Sequence, residues 1–155
     1  MLNFKVLNII GLILSMLGFS MIPSVLWSYY YNDSDIQTLF YSSIITISFG
    51  MVLYFITYFY NKKKSTKKEL SLKDGFSVVS LAWIAMSIFS AIPYYLTLEG
   101  FSFTNSFFEA MSGLTTTGAT VLGNSTFYIE DLSHGLLYWR SFTQFIGGMG
   151  IIVFS

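Results

Sequence analysis

FSFTNSFFEAMSGLTTTGATVL, residues 101–122, decides how this chain is built. The stretch is too polar to cross a membrane and too apolar to be a solvated loop. Phe103, Phe107, Phe108, Met111 and Leu114 fall at helical spacing. Ser106 and Glu109 stand three apart, as in a capping box, which predicts a short helix starting after Ser106. Gly113 is placed to end it. TTTGA, residues 115–119, then carries no helical pattern. A half-helix followed by a non-helical strand describes a re-entrant loop, provided that membrane spans flank it. Irregular backbone at membrane depth is tolerated only where protein buries it or where it lines a watery cavity.

The flanks supply those spans. Between Lys5 and Asp33 lie 27 residues without a charge, between Asp35 and Lys62 lie 26, and between Asp74 and Glu99 lie 24. A hydrocarbon core about 30 Å thick needs about 20 apolar helical residues. A fourth candidate runs from about Gly135 to Ser155 and contains Arg140. Apolar residues make up 54% of the 155 and charged residues 10%, against about 25% charged in ordinary soluble domains. The fold class expected is therefore an all-α integral membrane protein. It has four transmembrane helices, one re-entrant pore helix and an extended filter strand.

Charge placement sets the expected topology. Lys62, Lys63, Lys64, Lys67, Lys68 and Lys73 crowd one short loop, which the positive-inside rule keeps in the cytoplasm. Both ends of the chain are then inside and residues 99–133 outside. The lysine run reads as a topology signal rather than an anionic-lipid site. Three segments follow: a two-helix module over residues 1–61, a basic loop over 62–74, and a helix–pore loop–helix unit over 75–155. Trp27, Tyr29, Tyr30, Tyr31, Tyr138 and Trp139 read as interfacial anchors. Pro93 is expected to kink or end its helix.

Several chemistries are excluded or weakened. The chain has no cysteine and one histidine, so zinc-type clusters are out of reach. No nucleophile elbow or phosphate-binding loop occurs. His134 lies beside Asp131 and Ser133, but adjacency along the chain does not make a triad, and it reads as an exposed loop residue. The chain is not read as an enzyme, and no nucleic-acid partner is implied. Asn32-Asp33-Ser34 and Asn124-Ser125-Thr126 match glycosylation sequons, a short and common pattern.

What residues 115–119 offer is backbone. Carbonyl oxygens replace the hydration shell of an ion in potassium filters. Such a strand wants small residues, hydroxyls and a glycine with unusual φ/ψ. Thr115, Thr116, Thr117, Gly118 and Ala119 meet that need, and a threonine-rich extracellular turn without a ligand is the bland alternative. The preceding half-helix would turn the negative end of its dipole toward a cation. Arginine at the centre of a span costs about 2.5–3.5 kcal/mol on insertion scales. Arg140 is therefore expected to pair with Glu109 behind the strand. A capping role for Glu109 and snorkelling for Arg140 are the alternatives. Gly147, Gly148 and Gly150 read as close-packing positions, with a flexible point near an inner gate as the sharper option.

FFEAMSGLTTTGATVL (107–122) and LLYWRSFTQFIGGMGIIV (136–153) together resemble the first pore unit of the Trk/Ktr/HKT superfamily of potassium transporters. LKDGFSVVSLAWIAMSIFSAIPYYL (72–96) is similar to the first helix of that unit. The two leading helices resemble the Trk branch, in layout only. The resemblance implies a filter of four such units around a pseudo-fourfold axis. Gly118 matches the filter glycine, and Thr116 and Thr117 match the positions whose carbonyls face K+. Thr115 and Ala119 flank them. It implies K+ as the transported ion with no organic cofactor. It also implies the bacterial inner membrane and its lipid, the remaining pore units, and a cytosolic nucleotide-binding regulatory subunit. The family continues through three more units where this sequence stops at Ser155. A fragment is the expectation, with four assembling copies as the alternative. A homotetrameric cation channel and a non-conducting interaction protein are the rival classes.

Overall fold

The computed structural model describes residues 4–64, 71–123 and 127–154, apart from the side chains of 63–64 and 151–154. It is all-helical: α1 (Phe4–Ser20), α2 (Ile22–Tyr31), α3 (Ile36–Lys64), α4 (Leu72–Thr97), α5 (Phe103–Leu114) and α6 (His134–Phe154), with a 3₁₀ turn at Ile129–Asp131. Among the described residues three stretches are long and apolar enough to cross a bilayer: Phe4–Tyr31, Ile36–Lys62 and Leu72–Thr97. The first of these is two helices rather than one. The chain breaks at Met21, and Pro23 follows at the start of α2, where its missing N–H is harmless. The fourth expected span, α6, is not among these three, although its 21 residues reach about 31 Å; the 12 of α5 reach only about 18 Å, too short to cross.

Small residues hold the first helices together. A Cβ built on Gly11 would lie 2.7 Å from the Tyr54 nitrogen, and one on Gly50 would lie 2.5 Å from the Ser15 nitrogen. The α1 and α3 backbones therefore touch, as small-residue seams in membranes allow. Asn8 crosses the same seam to the Tyr54 carbonyl and the Thr57 hydroxyl, both at 3.0 Å. On the outward side Phe40, Ile44, Val52, Phe55, Ile56 and Phe59 are exposed along α3, an apolar face suited to lipid tails.

The second half of the chain is built around α4. A capping box starts it: Asp74 N–H donates to the Ser71 hydroxyl (3.3 Å) and Ser71 N–H to the Asp74 carboxylate (3.0 Å). Pro93 does not end α4, which runs on to Thr97. Its side chain is buried, so packing holds the helix through the lost hydrogen bond. Trp139 is not an interfacial anchor. It is fully buried, with its indole N–H donating to the Ser90 carbonyl at 3.2 Å, so it joins α6 to α4 rather than sitting at an interface. Trp27, Tyr29, Tyr30 and Tyr31 do remain exposed.

At one end the turn between α2 and α3 clasps the start of α6. Asp35 is buried and accepts from the hydroxyls of Ser28 and Ser133. Asp33 accepts from Gly135 N–H at 3.3 Å, and its carboxylate lies 3.2 Å from His134 Nδ1. The His134 ring stacks on Tyr31 with centroids 3.9 Å apart. His134 is therefore exposed but engaged, as the first residue of α6 rather than part of a loop. Residues 65–70 of the lysine loop and the sequon at 124–126 lie outside the described residues.

Candidate ion-conducting site

The short helix α5 begins one turn earlier than the capping-box spacing predicts. Ser102 is its N-cap and accepts from Asn105 N–H at 3.2 Å. Ser106 lies inside the helix and donates to the Ser102 carbonyl (3.1 Å), while Glu109 is spent elsewhere. Two serines here satisfy the N-cap preference, and the earlier one wins because Phe101 is buried and its N–H closes a turn onto the Leu98 carbonyl.

At its other end α5 reverses through a Schellman closure. Thr116 N–H donates to the Gly113 carbonyl and Thr117 N–H to the Ser112 carbonyl, both at 2.9 Å. Thr116 takes the left-handed conformation, with φ 56°, and Gly118 follows with φ 72°. Residues 115–120 are all exposed. Their carbonyls divide into engaged and open ones. Thr115 O accepts from the Thr116 hydroxyl (2.7 Å) and Ala119 O from the Ser112 hydroxyl (2.6 Å). Between them, the carbonyls of Thr116, Thr117 and Gly118 accept no hydrogen bond among the described residues.

Glu109 braces the chain just beyond. It is 2% exposed, and its Oε1 accepts from the Thr120 hydroxyl, from Val121 N–H (2.6 Å) and from Leu122 N–H (3.4 Å). Its Oε2 lies 3.5 Å from Arg140 Nε, an ion-pair contact without hydrogen-bond geometry. The side chain of Arg140 is 20% exposed, so the pair is largely but not wholly desolvated. The arrangement thus combines a carbonyl-lined turn, a helix C-terminus behind it, and a buried carboxylate that ties the return strand down.

Residues 35–155 match the family described as TrkH, a cation transport protein. This chain belongs to the TrkH family. It is 37% identical over 97% of its length to an uncharacterized cation transporter of Methanocaldococcus jannaschii, and 36% identical over 97% to the Trk system potassium uptake protein TrkH of Halomonas elongata. In structure it is similar to the potassium transporter TrkH from Vibrio parahaemolyticus, with a TM-score of 0.83 and 30% identity over 99% of this chain. The chain spans 29% of the length of those two relatives and 31% of the solved chain.

Within this TrkH-family unit α6 is the platform on which α5 sits. A Cβ on Gly147 would drive into the Leu114 carbonyl, and one on Gly113 would lie 2.6 Å from the Thr143 hydroxyl. Gly147 is thus a contact position, whereas a Cβ on Gly150 would meet nothing within 4 Å. Opposite α6 a groove of about 270 Å³ runs along α5, lined by Thr104, Phe107, Phe108, Met111 and Thr117 among others. Sequence reasoning missed Ser112, Thr120 and Asp35. Ser112 and Thr120 carry no periodic signal, since their partners exist only once the chain has folded back. Asp35 reads as one of two acids in a polar turn.

Proposed function

We propose that this chain supplies one of the four units of a potassium uptake pore in the bacterial inner membrane. In this reading α1–α3 form the leading module, α4 and α6 span the membrane, and α5 enters it part-way and returns through residues 115–120. The observation that carries the reading is the run of three open carbonyls, Thr116 to Gly118, on an exposed turn at the C-terminus of a half-buried short helix. Carbonyl oxygens so placed replace water around a cation, and the helix dipole adds negative potential at the same point. Dehydration at the mouth, coordination by the Thr116 and Thr117 carbonyls and release into a cavity form the sequence of events. One unit provides one side of such a cage. The groove along α5 is where neighbouring units would pack.

The name of the Halomonas elongata relative, a potassium uptake protein, supports potassium as the ion. The lysine-rich loop places both ends of the chain in the cytoplasm. Glu109 and Arg140 hold the return strand behind the filter. The test is rubidium and sodium uptake by the full-length product of the locus, in cells lacking their own potassium uptake. Gly118→Ala is the variant of choice, since its Cβ would meet nothing within 4 Å and would act through φ 72° alone. The expected result is a fall in uptake and in potassium-over-sodium preference. Unchanged uptake and preference would sink the reading.

A further inference from the structure

Serines inside these helices ordinarily satisfy themselves one turn back. Ser42 donates to Thr38 O (2.7 Å), Ser87 to Trp83 O (2.9 Å) and Ser141 to Leu137 O (3.1 Å). Ser112 does not. Its hydroxyl reaches seven residues forward, to the Ala119 carbonyl at 2.6 Å, while its own carbonyl accepts Thr117 N–H at 2.9 Å. One residue, 6% exposed at the end of α5, therefore grips both ends of the Thr117–Ala119 segment.

We propose that Ser112 is a positioning residue that determines ion selectivity, a proposal that rests on the filter reading above. By holding the Ala119 carbonyl against α5 it ends the run of open carbonyls at Gly118. The number and position of oxygens that this unit offers an ion are then set from behind. Without the hydroxyl, Ala119 O loses its partner and the peptide that follows it is free to turn. A carbonyl that turns toward the ion path adds a ligand, and a strand that gives can close on the smaller sodium ion. Glu109 does not substitute, because it accepts from the Thr120 hydroxyl and the N–H groups of Val121 and Leu122, and a carboxylate cannot donate to the Ala119 carbonyl.

The experiment compares rubidium and sodium uptake at matched protein levels for the full-length transporter and its Ser112→Ala, Ser112→Thr and Gly118→Ala variants. Ser112→Ala removes the hydroxyl without adding volume and suits a helix. It is expected to lower the rubidium-over-sodium ratio by about fivefold or more, the factor that one lost hydrogen bond supplies. Ser112→Thr keeps the hydroxyl and is expected to keep the ratio. If Ser112→Ala lowers both fluxes equally, the residue is merely structural and the proposal is overturned. A ratio as low in Ser112→Thr as in Ser112→Ala overturns it too. Should Gly118→Ala change the ratio while Ser112→Ala does not, only the role of Ser112 fails. Should neither change it, the filter reading itself fails.

Discussion

The chain closes two helices with one hydrogen-bond pattern and puts the two closures to different use. At the end of α2, Asn32 N–H donates to Tyr29 O (3.2 Å) and Asp33 N–H to Ser28 O (3.0 Å). At the end of α5 the corresponding bonds are Thr116 to Gly113 and Thr117 to Ser112. The turning residue is left-handed in both, with φ 55° at Asn32 and 56° at Thr116. In both, a serine four positions earlier sends its hydroxyl seven residues forward, Ser28 to Asp35 and Ser112 to Ala119. Both ends rest on a glycine of α6: a Cβ on Gly135 would lie 2.7 Å from Ser28 Cβ, and one on Gly147 would strike Leu114.

The difference lies in residue type and in what is gripped. Asparagine enters the left-handed region readily, whereas a β-branched threonine is an outlier there. Such a residue costs about 1–3 kcal/mol and persists only where its surroundings over-determine it. At α2 the serine holds a carboxylate, and the result is a clasp between helices. At α5 it holds a backbone carbonyl, and the result is a fixed backbone. On the proposed filter reading, the strained residue falls where main-chain oxygens would meet an ion, and the unstrained one where only a link is needed.

The comparison can be broken most severely at the α6 glycines. Gly147→Leu leaves α5 no seat, and little folded protein is expected by detergent gel filtration. Next comes the carboxylate behind each turn. Glu109→Ala leaves Arg140 without its counter-ion and the Val121 N–H without an acceptor, while Leu122 N–H keeps the Thr120 hydroxyl at 3.0 Å. Breaking a buried pair costs about 3–5 kcal/mol, so the melting temperature and rubidium uptake should both collapse. Asp35→Ala strands only the Ser28 and Ser133 hydroxyls. It should cost about 1–3 kcal/mol in the same melt while folded protein keeps its ion preference. The smallest effects sharpen the contrast in residue type. Asn32→Thr should destabilise by about 1 kcal/mol, and Thr116→Asn should stabilise by a similar amount in thermal denaturation. Equal responses at the two positions would mean that Thr116 is not strained.

Much of this was legible because it depends on local pattern. An arginine inside an apolar helix demands a partner, and Glu109 was the acid at matching depth; the two side chains lie 3.5 Å apart. The left-handed glycine within T-T-T-G was readable for the same reason, as Gly118 has φ 72°. The start of α5 is not legible in the sequence because Ser102 and Ser106 have the same capping chemistry, and the choice falls to how Phe101 packs. The place of Trp139 is not legible either, because an amphipathic ring suits an interface and a core equally. Only the neighbourhood of Ser90 decides between them.

The sequence by itself determined the helical class, the three long apolar stretches, the short helix and the glycine that follows it. These rest on hydropathy, length and backbone preference, which act within a few residues. Only the tertiary structure decided which carbonyls stay open, that Ser112 reaches Ala119, and that Asp35 joins α2 to the start of α6. Those choices depend on how close separate helices approach, and that distance is set by small residues on opposing surfaces rather than by any pattern along one segment.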